Sequence, residues 1–120
     1  MNFNIVGSGS WGIAFANLLC NKDFNVTVLH RNSANSKSLV QSSIHPNLPN
    51  IKISKKIKYT TKFSDLEMMN IFVLAIPSDT IYSFISKYDL SNQKILILTK
   101  GIDTKSKLLI SDLLISKFSY

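Results

Sequence analysis

A glycine-rich turn near the amino terminus constrains the fold of this chain most strongly. An apolar strand candidate, residues 3–6, leads directly into Gly7-Ser8-Gly9-Ser10-Trp11-Gly12. Residues 10–22 follow with the pattern of a helix that buries a broad apolar face. A strand, a G-x-G-x-x-G turn and a helix in this order are typical of dinucleotide-binding sites, where phosphates meet the N–H groups of the helix start. The sequence therefore predicts nucleotide binding, with a plain tight turn as the alternative.

Each glycine of this turn has a distinct predicted role. Gly7 lets the chain turn sharply away from the strand. Gly9 has no Cβ, so that the backbone can approach a pyrophosphate, and Gly12 lets the helix pack close to the strand.

The rest of the chain alternates between strand and helix patterns. Further strands are predicted at residues 26–29, 58–61, 71–76 and 94–99, and helices at residues 78–87 and 108–118. A weaker helix signal follows residue 32, and residues 63–69 could form one or two helical turns with Ser64 as N-cap. Pro77 is expected to end the fourth strand, and Ser78 or Asp79 to cap the next helix. Two prolines make residues 45–50 a loop. The alternation predicts the α/β class, a Rossmann-like doubly wound parallel sheet.

Four stretches share one predicted position in such a sheet. Ligands of doubly wound sheets bind beyond the carboxyl ends of the strands. Residues 7–12, 30–32, 77–80 and 99–103 all follow predicted strands. We therefore expect them to line one crevice.

The composition indicates a globular protein of one domain, residues 1–120. The chain is 45% hydrophobic and 18% charged, which suits a packed core. Its single cysteine, Cys20, excludes a disulfide framework and fits a reducing cytoplasm; it is predicted to be a small buried hydrophobe rather than a reactive thiol. No targeting or membrane-spanning segment is evident, so no membrane partner is expected. Two histidines and one cysteine argue against a zinc site.

The net charge of +7 indicates either a negatively charged partner or a solvated, lysine-rich surface. The lysines are densest between residues 52 and 62, but no aromatic residues are interleaved with them in a nucleic-acid motif. We therefore expect a solvated face and no nucleic-acid partner. A third interpretation is that the basic field attracts a phosphorylated substrate and an anionic cofactor.

The end of the second strand bears on which nucleotide is bound. In NAD-binding versions of this fold, an acidic residue about 20 residues past the glycines binds the ribose 2′-OH. Here the sequence is Leu29-His30-Arg31-Asn32, without an acid. Arg31 can face a 2′-phosphate or stack on adenine, which favours NADP over NAD. The alternative is a solvent-exposed Arg31, and His30 is expected to be a strand-end residue.

Taken together, these segments resemble the N-terminal domain of the NAD(P)-dependent glycerol-3-phosphate dehydrogenases. The Ser-Trp-Gly ending of the glycine turn is more specific than the bare fingerprint. Four further segments match in the family's order: a Leu-Pro loop at residues 47–53, a short strand at 57–61, Ala75-Ile76-Pro77-Ser78, and Thr99-Lys100-Gly101-Ile102-Asp103.

The resemblance implies interconversion of sn-glycerol 3-phosphate and dihydroxyacetone phosphate by hydride transfer with NADP or NAD, feeding glycerophospholipid synthesis. It implies a small phosphorylated substrate and a homodimer in the full-length enzyme. Lys100 would contact both cofactor and substrate, positioning the latter. With the fingerprint, the expected cofactor-binding residues are Gly7, Gly9, Ser10, Trp11, Gly12, Arg31, Pro77 and Lys100.

Some residues depart from the family pattern. Ser8 replaces a frequent alanine, Leu29 a common tryptophan, and Asn32 a frequent basic residue, which weakens the preference for NADP. The family continues into a helical domain that carries the general base. We therefore expect residues 1–120 to be a truncated cofactor domain, without its last strand and without the substrate domain. The alternatives are a stand-alone NAD(P)-binding module and the Rossmann domain of another NADP-dependent dehydrogenase, such as a ketopantoate reductase.

Overall fold

The computed structural model describes residues 1–31 and 34–118, which form one parallel sheet flanked by helices. The predicted α/β class is confirmed. The strands are β1 (Asn2–Val6), β2 (Asn25–Leu29), β3 (Lys58–Thr60), β4 (Ile71–Leu74) and β5 (Ile95–Ile97). The helices are α1 (Ser10–Asn21), α2 (Ala34–Ser42), α3 (Ser78–Lys87) and α4 (Ile110–Phe118), and a single 3-10 turn spans Phe63–Asp65.

The strand order is β3-β2-β1-β4-β5, and every pairing is parallel. Val6, at the end of β1, lies opposite both Leu29 and Leu74. The chain moves outward in one direction through β2 and β3 and in the other through β4 and β5, so β1 and β4 flank the point where the order reverses. Doubly wound sheets bind their ligands at this point.

Alternate side chains of the central strands enter two separate hydrophobic cores. Ile5, Val28 and Val73 pack with residues of α1 on one face of the sheet. Val6 and Leu74 pack with residues of α3 and α4 on the other. Strands that are buried on both faces consist of apolar residues throughout, as the sequence of β4 does.

One polar side chain is fully buried in β1. The Asn4 amide donates to the main-chain oxygen of Glu67 (2.8 Å), and its carbonyl oxygen accepts from the Asn70 amide (3.1 Å). These bonds compensate the loss of water around the amide and attach the turn before β4 to the central strand.

The structure corrects three predictions of element ends. Lys62, not Ser64, is the N-cap residue of the 3-10 turn. β4 ends at Leu74 rather than Ile76, because its neighbour β1 ends at Val6, whose carbonyl oxygen accepts the last bond of this pairing from the Ala75 N–H (2.9 Å). Pro77 is the N-cap residue of α3, so neither Ser78 nor Asp79 caps it.

The last strand and helix also differ from their predictions. The apolar run at residues 95–98 favours another buried strand, but β5 is the edge strand in the described sheet, and Leu96 is 40% exposed. α4 begins at Ile110 instead of residue 108, because Leu109 forms an isolated antiparallel bridge with Ile102. That bridge closes the loop that follows β5.

Candidate cofactor site

The glycine turn brings β1, α1 and the end of β4 into close contact. Gly7 has a φ of +113°, and its N–H donates to the Leu29 carbonyl oxygen (3.0 Å). A Cβ on Gly7 would lie 2.7 Å from the oxygen of Ala75, and one on Gly12 would lie 2.4 Å from the oxygen of Gly7. Both predicted roles agree with this packing, since neither position has room for a side chain.

Gly9 differs from the other two glycines. Its φ is −67°, and a Cβ placed on it would have no atom within 4 Å. It is the N-cap residue of α1, and no side-chain bond caps that helix start in the described part of the chain. The N–H groups of the first turn and the positive end of the helix dipole therefore remain available to an anion.

The end of β2 presents a cation without a neighbouring acid on that strand. The Arg31 side chain is exposed. His30 is half-buried, donates from Nδ1 to the Arg31 carbonyl oxygen (3.0 Å) and packs edge-on against Tyr59. His30 is thus a strand-end residue, as predicted. Asn32 lies outside the described residues.

Two loops at the carboxyl edge are joined through a threonine. The hydroxyl of Thr99 lies 2.7 Å from the carbonyl oxygen of Ile76 and 3.1 Å from that of Leu74, so it donates between them. Gly101 has a φ of +98°, and its Cβ position is 3.5 Å from the Ser78 hydroxyl. The segment after β5 is therefore fixed against the start of α3.

Lys100 and Trp11 meet across this edge. The Lys100 ammonium lies 4.7 Å from the centre of the Trp11 ring, although both residues are exposed. Pro77, which is also exposed, begins the helix beside Gly101. The structure thus brings the stretches around residues 7–12, 77–80 and 99–103 together, and the Gly7–Leu29 bond joins the end of β2 to them.

The loop that carries Lys100 is closed by Asp103. The Asp103 carboxylate accepts hydrogen bonds from the Ser106 hydroxyl (2.6 Å) and the Ser106 N–H (2.8 Å). These two bonds, with a smaller contribution from the charge of Lys105, lower the pKa of Asp103. The sequence offered no signal for this closure beyond an acid three residues before a serine.

The buried thiol and phenol near β3 are not acidic groups. Burial raises the pKa of Cys20, against smaller opposing effects of a Ser54 hydrogen bond and the Lys56 charge. Burial, with a smaller effect of Cys20, raises the pKa of Tyr59 to about 12. Both groups are protonated near neutral pH, and Cys20 packs in the core as predicted.

Sequence reasoning missed one residue at the glycine turn. His45 was assigned to a proline-rich loop, yet its side chain is buried and its Nε2 lies 2.9 Å from the Ser8 carbonyl oxygen. Nothing in a turn fingerprint points to a histidine more than thirty residues downstream. A buried histidine before a proline was the signal that could have drawn attention to it.

The lysines between residues 52 and 62 are all exposed, as expected of a solvated face. Within residues 1–31 and 34–118, no three His, Cys, Asp or Glu side chains converge where they could hold a metal ion. None of the helices described is both long and apolar enough to cross a membrane.

Comparison with solved structures identifies the same fold elsewhere. A crystal structure of glycerol-3-phosphate dehydrogenase from Coxiella burnetii superposes with a TM-score of 0.83 at 23% identity, covering 99% of this chain and 38% of that one. A 2-dehydropantoate 2-reductase from Methylococcus capsulatus has a TM-score of 0.65 at 15% identity, covering 97% and 37%. At these identities the likeness is one of fold.

Sequence comparison is more specific. A glycerol-3-phosphate dehydrogenase [NAD(P)+] of Orientia tsutsugamushi is 36% identical over 93% of this chain and 36% of its own length. Its namesake in Neorickettsia sennetsu is 29% identical over 93% and 35%. The chain thus spans about a third of the length of these curated relatives. The family model for the NAD-dependent glycerol-3-phosphate dehydrogenase N-terminus matches residues 2–119, and the chain belongs to that family.

Proposed function

We propose that residues 1–120 form the NAD(P)-binding domain of an enzyme that interconverts sn-glycerol 3-phosphate and dihydroxyacetone phosphate. Membership of the family supports the domain assignment. The reaction, and a supply of glycerol 3-phosphate to phospholipid synthesis, are carried over from the names of the relatives and from the resemblance of the motifs. The observation that carries the proposal is the open backbone at Gly9, which begins a helix beside the Lys100–Trp11 pair.

The residues present fit a dinucleotide. Gly7 and Gly12 allow the tight approach of β1 and α1, and the space around Gly9 leaves room for a pyrophosphate against the N–H groups of Ser10 and Trp11. Arg31 supplies positive charge where a ribose 2′-phosphate would lie, which favours NADP, while NAD remains the second cofactor of the proposal. When bound, the nicotinamide would supply the hydride acceptor or donor.

Lys100 and Pro77 complete the proposed site. The Lys100 ammonium can neutralise a substrate phosphate or hold the substrate oxygen that becomes a carbonyl. Pro77 begins α3 at the same edge of the sheet, where the nicotinamide half of the cofactor would lie. A small phosphorylated substrate is attracted further by the net charge of +7.

The substitution Gly9→Ala tests cofactor binding. Its φ of −67° and the empty surroundings of its Cβ position allow alanine without a clash inside the protein. The variant should melt within a few degrees of the parent, yet lose at least about ten-fold in NADPH affinity by calorimetric titration, because the methyl group occupies the space of the pyrophosphate. Unchanged affinity for NADPH and NADH would refute the assignment of the turn.

The substrate class needs a separate measurement. In the chain loaded with NADP⁺, sn-glycerol 3-phosphate should shift the NMR resonances of the Lys100 side chain, whereas ketopantoate should not. A response to ketopantoate alone would favour another NADP-dependent dehydrogenase. Binding of the cofactor with no response to either compound would remove the support for a substrate contact at Lys100. Dimer formation, a cytoplasmic location and the lack of a nucleic-acid partner stay predictions.

A further inference from the structure

The backbone of His45 is held in place by its own segment. α2 ends at Ser42, and Ser43 adopts a left-handed conformation (φ +54°) that redirects the chain. Pro46 follows His45 and keeps its backbone extended. The His45 carbonyl oxygen accepts from the Leu48 N–H (3.0 Å), closing a turn. The backbone that carries the imidazole ring is therefore fixed in place, and His45 is only 5% exposed.

Both ring nitrogens of His45 face main-chain groups of fixed polarity. The N–H of Asn47 can only donate, and it lies 3.2 Å from Nδ1. The carbonyl oxygen of Ser8 can only accept, and it lies 2.9 Å from Nε2. These partners define one hydrogen-bonding arrangement of the ring, in which Nδ1 accepts from Asn47 and Nε2 donates to Ser8.

The bond to Ser8 sets the orientation of a peptide group in the glycine turn. A trans peptide is planar, and its C=O and N–H point in opposite directions. Fixing the Ser8 carbonyl against His45 therefore makes the Gly9 N–H point away from the ring. Gly9 is exposed and has empty space at its Cβ position, so this donor belongs to the open side of the turn.

The segment that carries His45 is also attached to α1 further along. The side-chain amide of Asn17 donates to the Lys52 carbonyl oxygen (3.2 Å) and its oxygen accepts from the Ser54 N–H (2.7 Å). Ile53 is buried between these two bonds. The connection between α2 and β3 is thus bound to the glycine turn and to the middle of α1, and it carries no regular structure of its own.

We propose that His45 is a positioning residue for the phosphate-binding turn, which holds the Ser8–Gly9 peptide so that the Gly9 N–H is presented to the cofactor pyrophosphate. The proposal rests on the proposed cofactor binding by this turn. His45 itself does not touch the cofactor in this role. His45 holds the turn in its binding conformation, so the turn does not have to reorganise when the cofactor binds.

Two substitutions separate the two bonds of the ring. In His45→Asn, the side-chain oxygen replaces Nδ1 and can still accept from Asn47, but the amide is too short to reach Ser8. In His45→Gln, the amide nitrogen reaches the place of Nε2 and can still donate to Ser8. A residue that only anchors the loop would show no selective requirement for the Ser8 bond.

The test compares NADPH affinity and the Gly9 amide resonance in the parent chain and both variants, with thermal melting as a check on folding. We expect His45→Asn to shift the Gly9 amide resonance before any cofactor is added and to weaken NADPH binding about five-fold. His45→Gln should stay within about two-fold of the parent affinity and retain the parent resonance.

Two outcomes overturn the proposal: an unmoved Gly9 resonance in His45→Asn, or equal NADPH affinity in both variants and the parent. A parent chain that binds neither NADPH nor NADH refutes the proposed function instead. The Gly9 resonance would still show whether His45 orients the turn, so the two failures are distinguishable.

Discussion

The ammonium group of Lys100 lies 4.7 Å from the centre of the Trp11 indole ring. Lys100 follows β5 and Trp11 lies in the first turn of α1, so the contact joins the loop after β5 to the start of α1. A cation over an indole at an exposed site contributes about 0.5–1 kcal/mol, enough to bias the orientation of a lysine without fixing it. Trp11 is also the one tryptophan of the chain and thus a selective fluorescent probe of this contact.

Replacing Lys100 should weaken cofactor binding and alter the tryptophan signal. Lys100→Met keeps the length of the side chain but removes its charge. We expect a loss of about ten-fold in NADPH affinity, as for one charge-assisted contact, and a change in Trp11 emission before NADPH is added. Fluorescence titration measures both. Lys105→Met removes an exposed lysine of the same loop and should change neither NADPH affinity nor Trp11 emission. If both variants lose the same NADPH affinity, the loss reflects net charge alone.

Arg31 should distinguish the two cofactors. Arg31→Ala is expected to lower NADPH affinity about ten-fold and NADH affinity by less than two-fold, because only NADPH carries a 2′-phosphate. Parallel calorimetric titrations give both constants. Arg31→Lys should recover part of the lost affinity. If NADH and NADPH lose affinity equally, Arg31 does not recognise the 2′-phosphate.

Gly12 should be intolerant of the smallest side chain. An added Cβ would lie 2.4 Å from the main-chain oxygen of Gly7, which cannot move without displacing β1. Gly12→Ala is therefore expected to cost at least about 2 kcal/mol in the free energy of unfolding and to lower the Tm by about 10 °C. Gly9→Ala is the matched control, and a melting temperature equal to that of the parent in both variants would disprove the close packing.

The Thr99 hydroxyl should stabilise the junction of two loops. Thr99→Val has the same shape but leaves the Ile76 carbonyl without its donor, which should cost about 1–2 kcal/mol in urea unfolding. Thr99→Ser keeps the hydroxyl and should lose less. NADPH affinity should also fall in the valine variant, because the backbone of Lys100 follows directly. Equal unfolding curves for the valine variant and the parent would exclude this role.

Asp103 should make stability depend on acid. Its pKa is lowered in the folded chain by Ser106, so the folded state binds fewer protons there than the unfolded state. This contribution is complete above the unfolded value of about 4 and is lost as the pH falls through the lower folded pKa. Asp103→Asn should therefore have a lower Tm than the parent at pH 7. The difference should shrink as the pH falls below about 4; a constant difference would contradict the assignment.

The parts of the site that depend on local chain geometry were predictable. The roles of Gly7 in the turn and of Gly12 in helix packing can be predicted from sequence, because both depend only on neighbouring residues and the adjacent strand. The convergence of Pro77 and Lys100 on the glycine turn follows from the parallel order of the strands.

What escaped prediction depends on partners that are distant in sequence. Leu96 belongs to a strand as apolar as β4, yet its exposure is decided by which neighbour it has in the sheet. The buried Asn4 needs the main chain of Glu67, and His45 needs that of Ser8. A side chain that binds a backbone atom distant in sequence leaves no sequence motif, because any residue type at the partner position supplies the same backbone atom.

Hydrogen bonds from a side chain to a main-chain oxygen constrain the donor position and the acceptor position unequally. His45 and Thr99 both donate to backbone oxygens, those of Ser8 and Ile76. A main-chain carbonyl is present whatever residue occupies the acceptor position, so the residue type at positions 8 and 76 can change without loss of either hydrogen bond. The donors have no such latitude. In a saturation library selected for folding and cofactor capture, positions 45 and 99 should accept few residue types, whereas position 8, whose part in the bond is only a main-chain oxygen, should accept many.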